Sequence, residues 1–342
     1  MNSDEKYMRR ALELASQGAG HVAPNPMVGA VVVHNEVIVG EGYHEKYGEA
    51  HAEVNAINAV QDSEILRECT IYVSLEPCAH YGKTPPCADL IVEKKLKRVV
   101  IGCGDSFAQV DGKGIERLKS AGIEVKQFVL EQEARALNQH FFTVQEKKRP
   151  YVLLKWAESK NGRIDDFAGD KNSITWISRP EVQPYVHKLR SEHAAILVGK
   201  NTVESDNPSL NVRAVSGPNP MRIVLDSRCE LTHDRTVLSD GKSTVVLNLL
   251  KSEELGNLRY VQIDAMTPAS ILNALNNLHI QSVMIEGGAA TLQSFIDANL
   301  WDEAIQIVGQ STIQEGTNAP SIQGNLIDQQ NLFGDIVNQF RP

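Results

Sequence analysis

The chain has 342 residues, a formal net charge of −9 and a hydrophobic fraction of 42%. This length suits two domains of roughly 150 residues each, and the apolar fraction is ordinary for globular domains. Because the chain is acidic and has no tract of lysine and arginine, its composition argues against nucleic acid as a partner.

The N-terminal segment and the cysteines bear on the cellular compartment. Residues 1–20 are charged and polar and do not resemble a signal peptide, and no apolar run approaches the ~20 residues that span a membrane. The five cysteines, at positions 69, 78, 87, 103 and 229, are not spaced like a disulfide framework. We therefore expect a cytoplasmic protein without a membrane partner, whose cysteines are free to bind metal or to pack in a core.

The first half of the chain alternates between helical and strand periodicity. The predicted elements are a helix over 4–17, strands over 30–34 and 36–41, a helix over 51–61, a strand over 70–75, a helix over 87–95, a strand over 98–102, a helix over 114–121, a strand over 123–128 and a helix over 131–145. This alternation predicts an α/β domain with helices layered on a sheet.

A charged segment without apolar residues, Glu-Lys-Lys-Arg-Pro at 146–150, separates the two halves. We place the linker at 147–150, which gives domains at 1–146 and 151–342. The second half predicts strands over 151–157, 194–199, 221–226, 244–248, 282–286 and 303–308, and helices over 179–191, 268–278 and 289–298. Residues 309–342, rich in glutamine and asparagine, give no predicted element. The halves show no internal repeat, which indicates two unrelated α/β domains.

The motif His51-Ala52-Glu53, followed by Pro77-Cys78 and later by Cys87, predicts a catalytic zinc site. One imidazole and two thiolates make three protein ligands, which leaves the fourth tetrahedral position for water. Glu53 lies close enough to exchange protons with that water without binding the metal. This order of residues is the pattern of the zinc deaminases. Eight residues rather than two separate the cysteines, and the intervening turn-forming segment allows both sulfurs to return to one metal.

Other interpretations of these residues remain open at this point. His80 is a weaker candidate ligand in the same loop, and Cys69, Cys103 and Cys229 are typical of core positions. A nucleotide-binding or regulatory protein with a structural zinc is one alternative, which a fourth protein ligand would favour. A deaminase of a nucleoside or of tRNA adenosine is another. The tRNA version needs a basic groove, and both versions leave the second domain unexplained.

Five stretches are distributed over nearly the whole chain: Pro-Asn-Pro-Met-Val-Gly at 24–29, the loop 76–87, Trp-Ile-Ser at 176–178, Asp-Asn-Pro-Ser-Leu at 206–210 and Glu-Gly-Gly at 286–288. Together, and in this order, they resemble the motifs of the bifunctional riboflavin-biosynthesis deaminase–reductases. The resemblance implies a cytidine-deaminase-like first domain, with a mixed sheet and helices on both faces, and a dihydrofolate-reductase-like α/β second domain.

The same resemblance implies the chemistry of each domain. The first would use Zn²⁺ to deaminate 2,5-diamino-6-(5-phosphoribosylamino)pyrimidin-4(3H)-one. The second would use NADPH to reduce the ribosyl group to a ribityl chain. The expected partner is therefore a small phosphorylated aminopyrimidine, and we expect the chain to form a homo-oligomer.

The resemblance also assigns binding residues. Those that would contact the deaminase substrate are Asn25, His44, Lys83 and Asp105. Those that would line the NADPH site are Ala157, Trp176, Thr202, Asp206, Ser227, Gly287, Gly288, Ala289, Ala290, Thr291 and Leu292. Those that would face the reductase substrate are Arg190, Leu210, Arg213 and Glu286, to which we add Lys155 from its own position on the first strand of the second domain. Taken singly, a loop lysine such as Lys83 is as often merely solvated, and Trp176 suits a core equally well.

The residue chemistry agrees with a reductase that does not use a Rossmann site. No Gly-x-Gly-x-x-Gly follows a strand and opens a helix. Instead, Gly287 and Gly288 join an apolar strand to a helix, where phosphate can approach backbone donors at a positive helix end. The guanidinium groups of Arg190 and Arg213 suit a phosphate dianion, although either arginine alone is more often in a surface salt bridge. Lys155, on the first strand of this domain, is placed to polarise a sugar carbonyl.

Two departures from the family's pattern concern the start of the second domain. Asn161-Gly162 stands where the family usually has Asp-Gly, and an amide cannot serve as an acid. We interpret the pair as a turn, a role that Asn-Gly fills as well. Extra residues around Lys171-Asn172 also depart from the family's spacing before Trp176.

Overall fold

The computed structural model describes residues 2–81, 85–107, 110, 112–167 and 176–342. The chain divides into two compact units, Met1–Lys148 and Arg149–Pro342. The domain limits expected from the sequence remain a prediction, and this division falls inside the predicted linker. Among the described residues, the helices are too short or too polar to cross a bilayer.

The first unit is built on a five-stranded mixed sheet. Its helices are α1 (Ser3–Ser16), α2 (Ala52–Asn58), α3 (Cys87–Glu93), α4 (Lys113–Ser120), α5 (Glu131–Leu137) and α6 (Gln139–Lys147), and its strands are β1 (Gly29–His34), β2 (Val37–Tyr43), β3 (Thr70–Leu75), β4 (Arg98–Cys103) and β5 (Glu124–Lys126). The strand order is β2-β1-β3-β4-β5. β1 is antiparallel to β2 and β3, whereas β3, β4 and β5 are parallel.

Both faces of this sheet are covered, because alternate residues of a strand point to opposite sides. Ile71 of β3 belongs to a buried cluster with Ile57 of α2 and Ile91 of α3. Its neighbour Tyr72 packs in a different cluster with Met8 of α1. The prediction of a mixed sheet with helices on both faces is therefore confirmed. The strand end of β3 and the starts of α2 and α3 are the places from which the metal-site residues extend.

The second unit is built on a ten-stranded sheet of order β10-β11-β9-β8-β7-β12-β6-β13-β15-β14. Its helices are α7 (Gln183–Glu192), α8 (Lys200–Asp206), α9 (Thr236–Ser239), α10 (Pro268–Asn277) and α11 (Ala289–Asp297), and its strands are β6 (Tyr151–Glu158), β7 (Ala195–Gly199), β8 (Met221–Leu225), β9 (Thr244–Asn248), β10 (Glu253–Leu255), β11 (Leu258–Gln262), β12 (Ser282–Ile285), β13 (Glu303–Val308), β14 (Asn325–Leu332) and β15 (Asp335–Arg341).

The seven strands from β11 to β13 run parallel, so their carboxyl ends collect at one edge of the sheet. Strands buried on both faces read as continuous apolar runs, as Tyr151–Leu154 of β6 does before Lys155 interrupts the run. Leu154 packs in a cluster with α10 and α11, and Leu153 packs in a second cluster with α7. In open α/β sheets, ligands bind outside the carboxyl ends of the strands, which directs attention to that edge.

The structure differs from the sequence prediction where contacts distant in sequence decide the local conformation. The helix predicted over 131–145 is two helices, because Asn138 leaves the helical conformation and pairs its side chain with the backbone N–H and C=O of Met27, at 2.8 Å each. The strands β14 and β15 lie where no element was predicted. All but the last residue of β14 are exposed, so the strand lacks the apolar alternation that marks a half-buried strand.

Candidate functional site

The residues of the predicted zinc site meet at the starts of two helices and in the loop after β3. His51 is the N-cap residue of α2, Cys87 is the first residue of α3, and Cys78 lies between β3 and α3. His51 Nδ1 lies 3.6 Å from Cys78 Sγ and 3.3 Å from Cys87 Sγ. Adjacent ligand atoms around a tetrahedral zinc ion, with bonds of about 2.0 and 2.3 Å, should lie about 3.5 Å apart. The donor set and its spacing therefore fit zinc.

The composition of this group distinguishes between the interpretations left open by the sequence. Within the described part of the chain, the cluster of metal-ligating side chains has three members, His51, Cys78 and Cys87. His80 is not one of them, so its candidacy as a ligand is not supported. With three ligands from the chain, the geometry favours a metal with an open position over a closed structural site.

The start of α3 stabilises negative charge on the sulfur of Cys78. The backbone N–H of Cys87 donates to Cys78 Sγ at 3.3 Å, and the backbone N–H of Ala88 donates to Cys78 O at 3.1 Å. The hydrogen bond from the Cys87 side chain lowers the pKa of Cys78, and His51 lowers it further. A thiolate is the form of cysteine that binds zinc, so the surroundings favour the ligand state of Cys78.

Glu53 lies in the first turn of α2, two residues after His51, and is only 3% exposed. Burial raises the pKa of its carboxyl to about 7. A carboxyl group with a pKa near neutrality can both accept and donate a proton at physiological pH. This is the property required of a group that moves protons beside a metal-activated water.

Two of the expected deaminase-substrate residues lie beside the metal ligands. The ring of His44 meets the ring of His51 edge-on, with centroids 5.4 Å apart. His44 Nδ1 contacts Ala50 O at 3.0 Å, and the Asn25 amide nitrogen contacts His44 Nε2 at 3.2 Å. These two contacts are consistent with a neutral ring that donates from Nδ1, and burial lowers the pKa of His44. Lys83 lies outside the described residues.

The fourth expected residue, Asp105, follows β4 and is 8% exposed. Its Oδ1 accepts a hydrogen bond from the backbone N–H of Phe107 at 2.8 Å. The Phe107 ring meets the ring of His80, in the loop after Cys78, with centroids 5.8 Å apart. Asp105 thus lies in a segment that contacts the zinc loop.

In the second unit, three of the expected reductase-substrate residues form a largely buried charge cluster. Lys155 Nζ lies 2.9 Å from Glu286 Oε1, and Arg190 Nη2 lies 2.7 Å from Glu286 Oε2. Burial alone would raise the pKa of Glu286, but the Lys155 ammonium and the Arg190 guanidinium outweigh it and lower the pKa to about 2. Glu286 is thus an anion that fixes two cations at the carboxyl end of β12.

Arg190 and Arg213 are joined by a residue that the sequence analysis did not identify. Arg190 Nη1 donates to Asn211 O at 3.2 Å, and Arg213 Nη1 donates to Asn211 Oδ1 at 3.0 Å. Leu210, which precedes Asn211, is buried. The backbone N–H of Arg213 donates to His187 Nδ1 at 2.9 Å. A helical spacing of three places His187 on the same face of α7 as Arg190, which is a signal that could have identified it.

Most of the expected NADPH residues lie at the carboxyl edge of the sheet. Ala157 is near the end of β6, Thr202 is in α8 directly after β7, Ser227 follows β8, and residues 287–292 follow β12. A Cβ atom on Gly287 would lie 3.0 Å from both Thr202 Oγ1 and Thr202 Cγ2, and Gly287 has a φ of +147°. The nine-residue helix α11 begins two residues later. Bare backbone, a threonine and a helix N-terminus together fit a phosphate group.

Two expected NADPH residues are exposed. Asp206 ends α8, and its Oδ1 accepts from the Ser205 hydroxyl at 2.7 Å. Trp176 is 60% exposed, so its alternative interpretation as a core residue is wrong. It follows the segment 168–175, which includes Lys171 and Asn172 and lies outside the described residues. The assignment of Asp206 and Trp176 to the cofactor remains a prediction.

Asn161 has a structural role at the turn after β6. Its Nδ2 donates to Ile313 O at 2.7 Å, and its Oδ1 accepts from the Ile313 backbone N–H at 3.1 Å. Gly162 has a φ of +74°. An aspartate could not donate to the Ile313 carbonyl, so the amide suits this position better than a carboxylate. These contacts agree with the interpretation of Asn161-Gly162 as a turn.

Comparisons with protein-family models match both halves of the chain. Residues 1–103 match the cytidine and deoxycytidylate deaminase zinc-binding region, and residues 150–329 match the RibD C-terminal domain. Among curated relatives, the riboflavin biosynthesis protein RibD of Aquifex aeolicus is 41% identical and is covered to 98%, with 99% of this chain aligned. The protein of that name from Bacillus amyloliquefaciens is 40% identical, with 93% of this chain and 87% of the relative covered.

Solved structures show the same architecture. A diaminohydroxyphosphoribosylaminopyrimidine deaminase/5-amino-6-(5-phosphoribosylamino)uracil reductase from Thermotoga maritima is 36% identical and superimposes with a TM-score of 0.90 over 99% of both chains. RibD from Acinetobacter baumannii is 32% identical, with a TM-score of 0.89 over 99% of both chains. The predicted fold class, a cytidine-deaminase-like domain followed by a dihydrofolate-reductase-like domain, is confirmed.

Proposed function

The chain belongs to the RibD family of riboflavin-biosynthesis proteins, and from this premise we propose that it catalyses two successive reactions. The first unit removes ammonia hydrolytically from 2,5-diamino-6-(5-phosphoribosylamino)pyrimidin-4(3H)-one. The second unit then reduces the ribosyl group of the product to a ribityl chain with NADPH. We assign these activities to residues 1–146 and 151–342, joined by a linker at 147–150.

The observation that carries the deaminase proposal is the group of His51, Cys78 and Cys87 with buried Glu53 beside it. A zinc ion bound there would supply Lewis acidity toward water. The Glu53 carboxyl would hold the proton that leaves the attacking water and return it to the departing amino nitrogen, which is released as ammonia. Burial of Glu53 favours the protonated form of its carboxyl, which helps the group to hold that proton until the amino nitrogen departs.

The residues around this centre would bind the pyrimidine and its ribose phosphate. The contact between Asn25 and His44 holds the two side chains in one arrangement next to His51. Asp105 approaches from the segment after β4, and we assign Lys83 to the same substrate. Polar groups fixed in advance in this way lower the cost of ordering the site when substrate binds.

In the reductase unit, the charge cluster supports the binding of a phosphorylated sugar. Arg190 and Arg213 both bond to Asn211, which brings their guanidinium groups together, and the N–H groups that these contacts leave over would bind a phosphate dianion. Glu286 fixes the ammonium of Lys155, which we assign to the sugar carbonyl that accepts the hydride. Leu210 would contribute apolar contact beside this pair.

NADPH would bind along the carboxyl edge of the sheet. We assign its phosphates to Gly287, Gly288 and the start of α11, with Thr202 beside them. Ser227 lies at the end of β8, and we assign it to the 2′-phosphate that distinguishes NADPH from NADH. When bound, the cofactor supplies a hydride. Lys155, fixed by Glu286, would hold the sugar carbonyl that accepts it.

One experiment tests both activities separately. Purified zinc-loaded protein is incubated with the diaminopyrimidinone phosphate, first without and then with NADPH. We expect ammonia release in both cases. In the second, NADPH should be oxidised, and NADH offered in its place should be oxidised more slowly. Absence of ammonia would contradict the deaminase assignment, and equal use of NADH would contradict the cofactor assignment. Light scattering on the same sample tests the expected homo-oligomer.

A further inference from the structure

A buried carboxylate next to the zinc loop collects backbone hydrogen bonds from a distant part of the chain. Glu76 follows β3, precedes Pro77-Cys78 and is 4% exposed. Its Oε2 accepts from the backbone N–H of Asp105 at 3.4 Å and of Gly112 at 3.1 Å. Its Oε1 accepts from the backbone N–H of Gly114 at 3.0 Å and of Ile115 at 3.2 Å.

These four donors belong to the two ends of one segment. Asp105 lies just after β4, whereas Gly112, Gly114 and Ile115 lie at the start of α4. Glu76 therefore holds both ends of the connection between β4 and α4. An ionised carboxylate is an acceptor with about four lone-pair sites, so four N–H donors match its capacity. The first turn of a helix also favours the negative charge.

The same segment is packed against the backbone that leads to Cys78. A Cβ atom on Gly114 would lie 1.9 Å from Pro77 O, so the start of α4 approaches the zinc loop as closely as backbone allows. The backbone N–H of Glu76 donates to Cys103 O at 3.0 Å, which joins the ends of β3 and β4. Glu76 thus connects the strand end that carries Cys78 with the segment that carries Asp105.

We propose that Glu76 is a positioning residue for the deaminase substrate. It acts through the connection between β4 and α4, whose Asp105 it holds at a fixed place relative to the metal ligands. The inference rests on the proposed deaminase function, because it takes Asp105 to be a substrate contact. It assigns no contact between Glu76 and the reacting atoms. Its consequence is that substrate affinity depends on a carboxylate that the substrate does not touch.

The test compares full-length wild-type protein with Glu76→Gln, in which an amide offers one acceptor oxygen instead of two. Glu76→Asp keeps the charge but is one methylene shorter. Glu116→Gln is the matched control, because Glu116 is exposed in the first turn of the same helix. Four quantities are measured: bound zinc, hydrogen exchange at Gly112, Gly114 and Ile115, ammonia release from the diaminopyrimidinone phosphate, and NADPH oxidation with the deaminated substrate.

For Glu76→Gln we expect unchanged zinc and reductase activity and faster exchange at these amides. We also expect a KM for the deaminase substrate raised about tenfold or more, with kcat changed less than about threefold, since the loss is in placement of a binding group. Glu76→Asp should fall between this variant and wild type, and Glu116→Gln should match wild type. If Glu76→Gln does not fold, Glu76→Asp carries the same comparison.

Three results overturn the inference. They are a wild-type KM in the Glu76 variants, exchange at the three amides that stays at the wild-type rate, and a loss of zinc that accompanies the loss of activity. If the wild-type protein itself releases no ammonia, the proposed function fails. In that case the exchange measurement still decides whether Glu76 holds the segment.

Discussion

Arg190 and Glu286 form a largely buried ion pair in which the guanidinium approaches one carboxylate oxygen with two nitrogens. Arg190 Nε lies 2.8 Å and Nη2 lies 2.7 Å from Glu286 Oε2. The third nitrogen, Nη1, donates to Asn211 O. The plane of the guanidinium is therefore fixed before any ligand arrives, which limits the ordering cost when a phosphate binds.

Replacing Arg190 with alanine should weaken binding of the phosphorylated sugar. We expect the KM for the reductase substrate to rise about tenfold to a hundredfold, since charge-assisted bonds to a dianion are lost, and the KM for NADPH to change little. Steady-state kinetics with each substrate varied in turn measures both. Lys188→Ala is a suitable control, because Lys188 is an exposed cation on the same helix, with 68% of its side chain accessible. An unchanged KM in Arg190→Ala would remove Arg190 from the phosphate site.

Replacing Glu286 with glutamine should destabilise the second unit itself. The variant leaves the Lys155 and Arg190 cations buried without their anion, and 11% and 12% of their side chains are accessible. Breaking a buried pair in this way costs about 3–5 kcal/mol of unfolding free energy. Urea denaturation followed by a probe in residues 149–342 should show the loss. A variant as stable as wild type would mean that water, or a rearrangement of the side chains, compensates the two cations for the loss of the carboxylate.

Replacing Glu53 with glutamine should separate metal binding from catalysis. The three metal ligands remain in place, so we expect zinc content equal to wild type. Ammonia release should fall about a hundredfold or more, because an amide cannot carry the proton. NADPH oxidation with the deaminated substrate should persist. Glu93→Gln changes an exposed carboxyl on the helix that carries Cys87 and should leave both activities intact. Ammonia release at the wild-type rate would show that another group moves the proton.

The sequence predicts elements well where one local pattern decides them. The strands Thr70–Leu75 and Glu303–Val308 have the predicted limits, because each is a short, mainly apolar run closely followed by a turn-forming residue, Pro77 or Gly309. The metal ligands could also be identified, since zinc deaminases place their ligand residues in a recognisable order, here with Pro-Cys after a predicted strand. These parts of the fold and site depend on short stretches of chain.

The remaining parts depend on pairs of residues that periodicity does not relate. Glu76 accepts a hydrogen bond from the backbone N–H of Gly112, 36 positions later, and nothing in a Glu-Pro-Cys sequence indicates that partner. Asn211 has two arginine partners, one of which precedes it by 21 positions. A polar residue at such a place looks like any loop residue until the fold brings its partner close. Polar positioning residues are therefore found from the structure, whereas ligands of a metal are found from the sequence.

His187 predicts a pH dependence of stability in the second unit. Its Nδ1 accepts from the backbone N–H of Arg213 at 2.9 Å and of Ala214 at 3.4 Å, and a protonated ring could accept neither. Burial, followed by the nearby Arg190 and Arg213 cations, lowers the pKa of His187 from 6.5 to about 4. The unfolded chain thus binds this proton first as the pH falls. The stabilising contribution is complete above pH 6.5 and is lost progressively as the pH falls toward 4.

The measurement is the unfolding free energy of wild type and of His187→Gln between pH 7.5 and 4. Glutamine keeps an acceptor and does not titrate, so we expect its stability to fall less steeply over this range. His193 is buried, and burial lowers its pKa to about 4 as well, so some dependence should remain in the variant. Equal slopes for the two proteins would show that His187 is not the group that binds the proton. At pH 7.5, a higher reductase KM in the variant would further indicate that His187 helps to place Arg213.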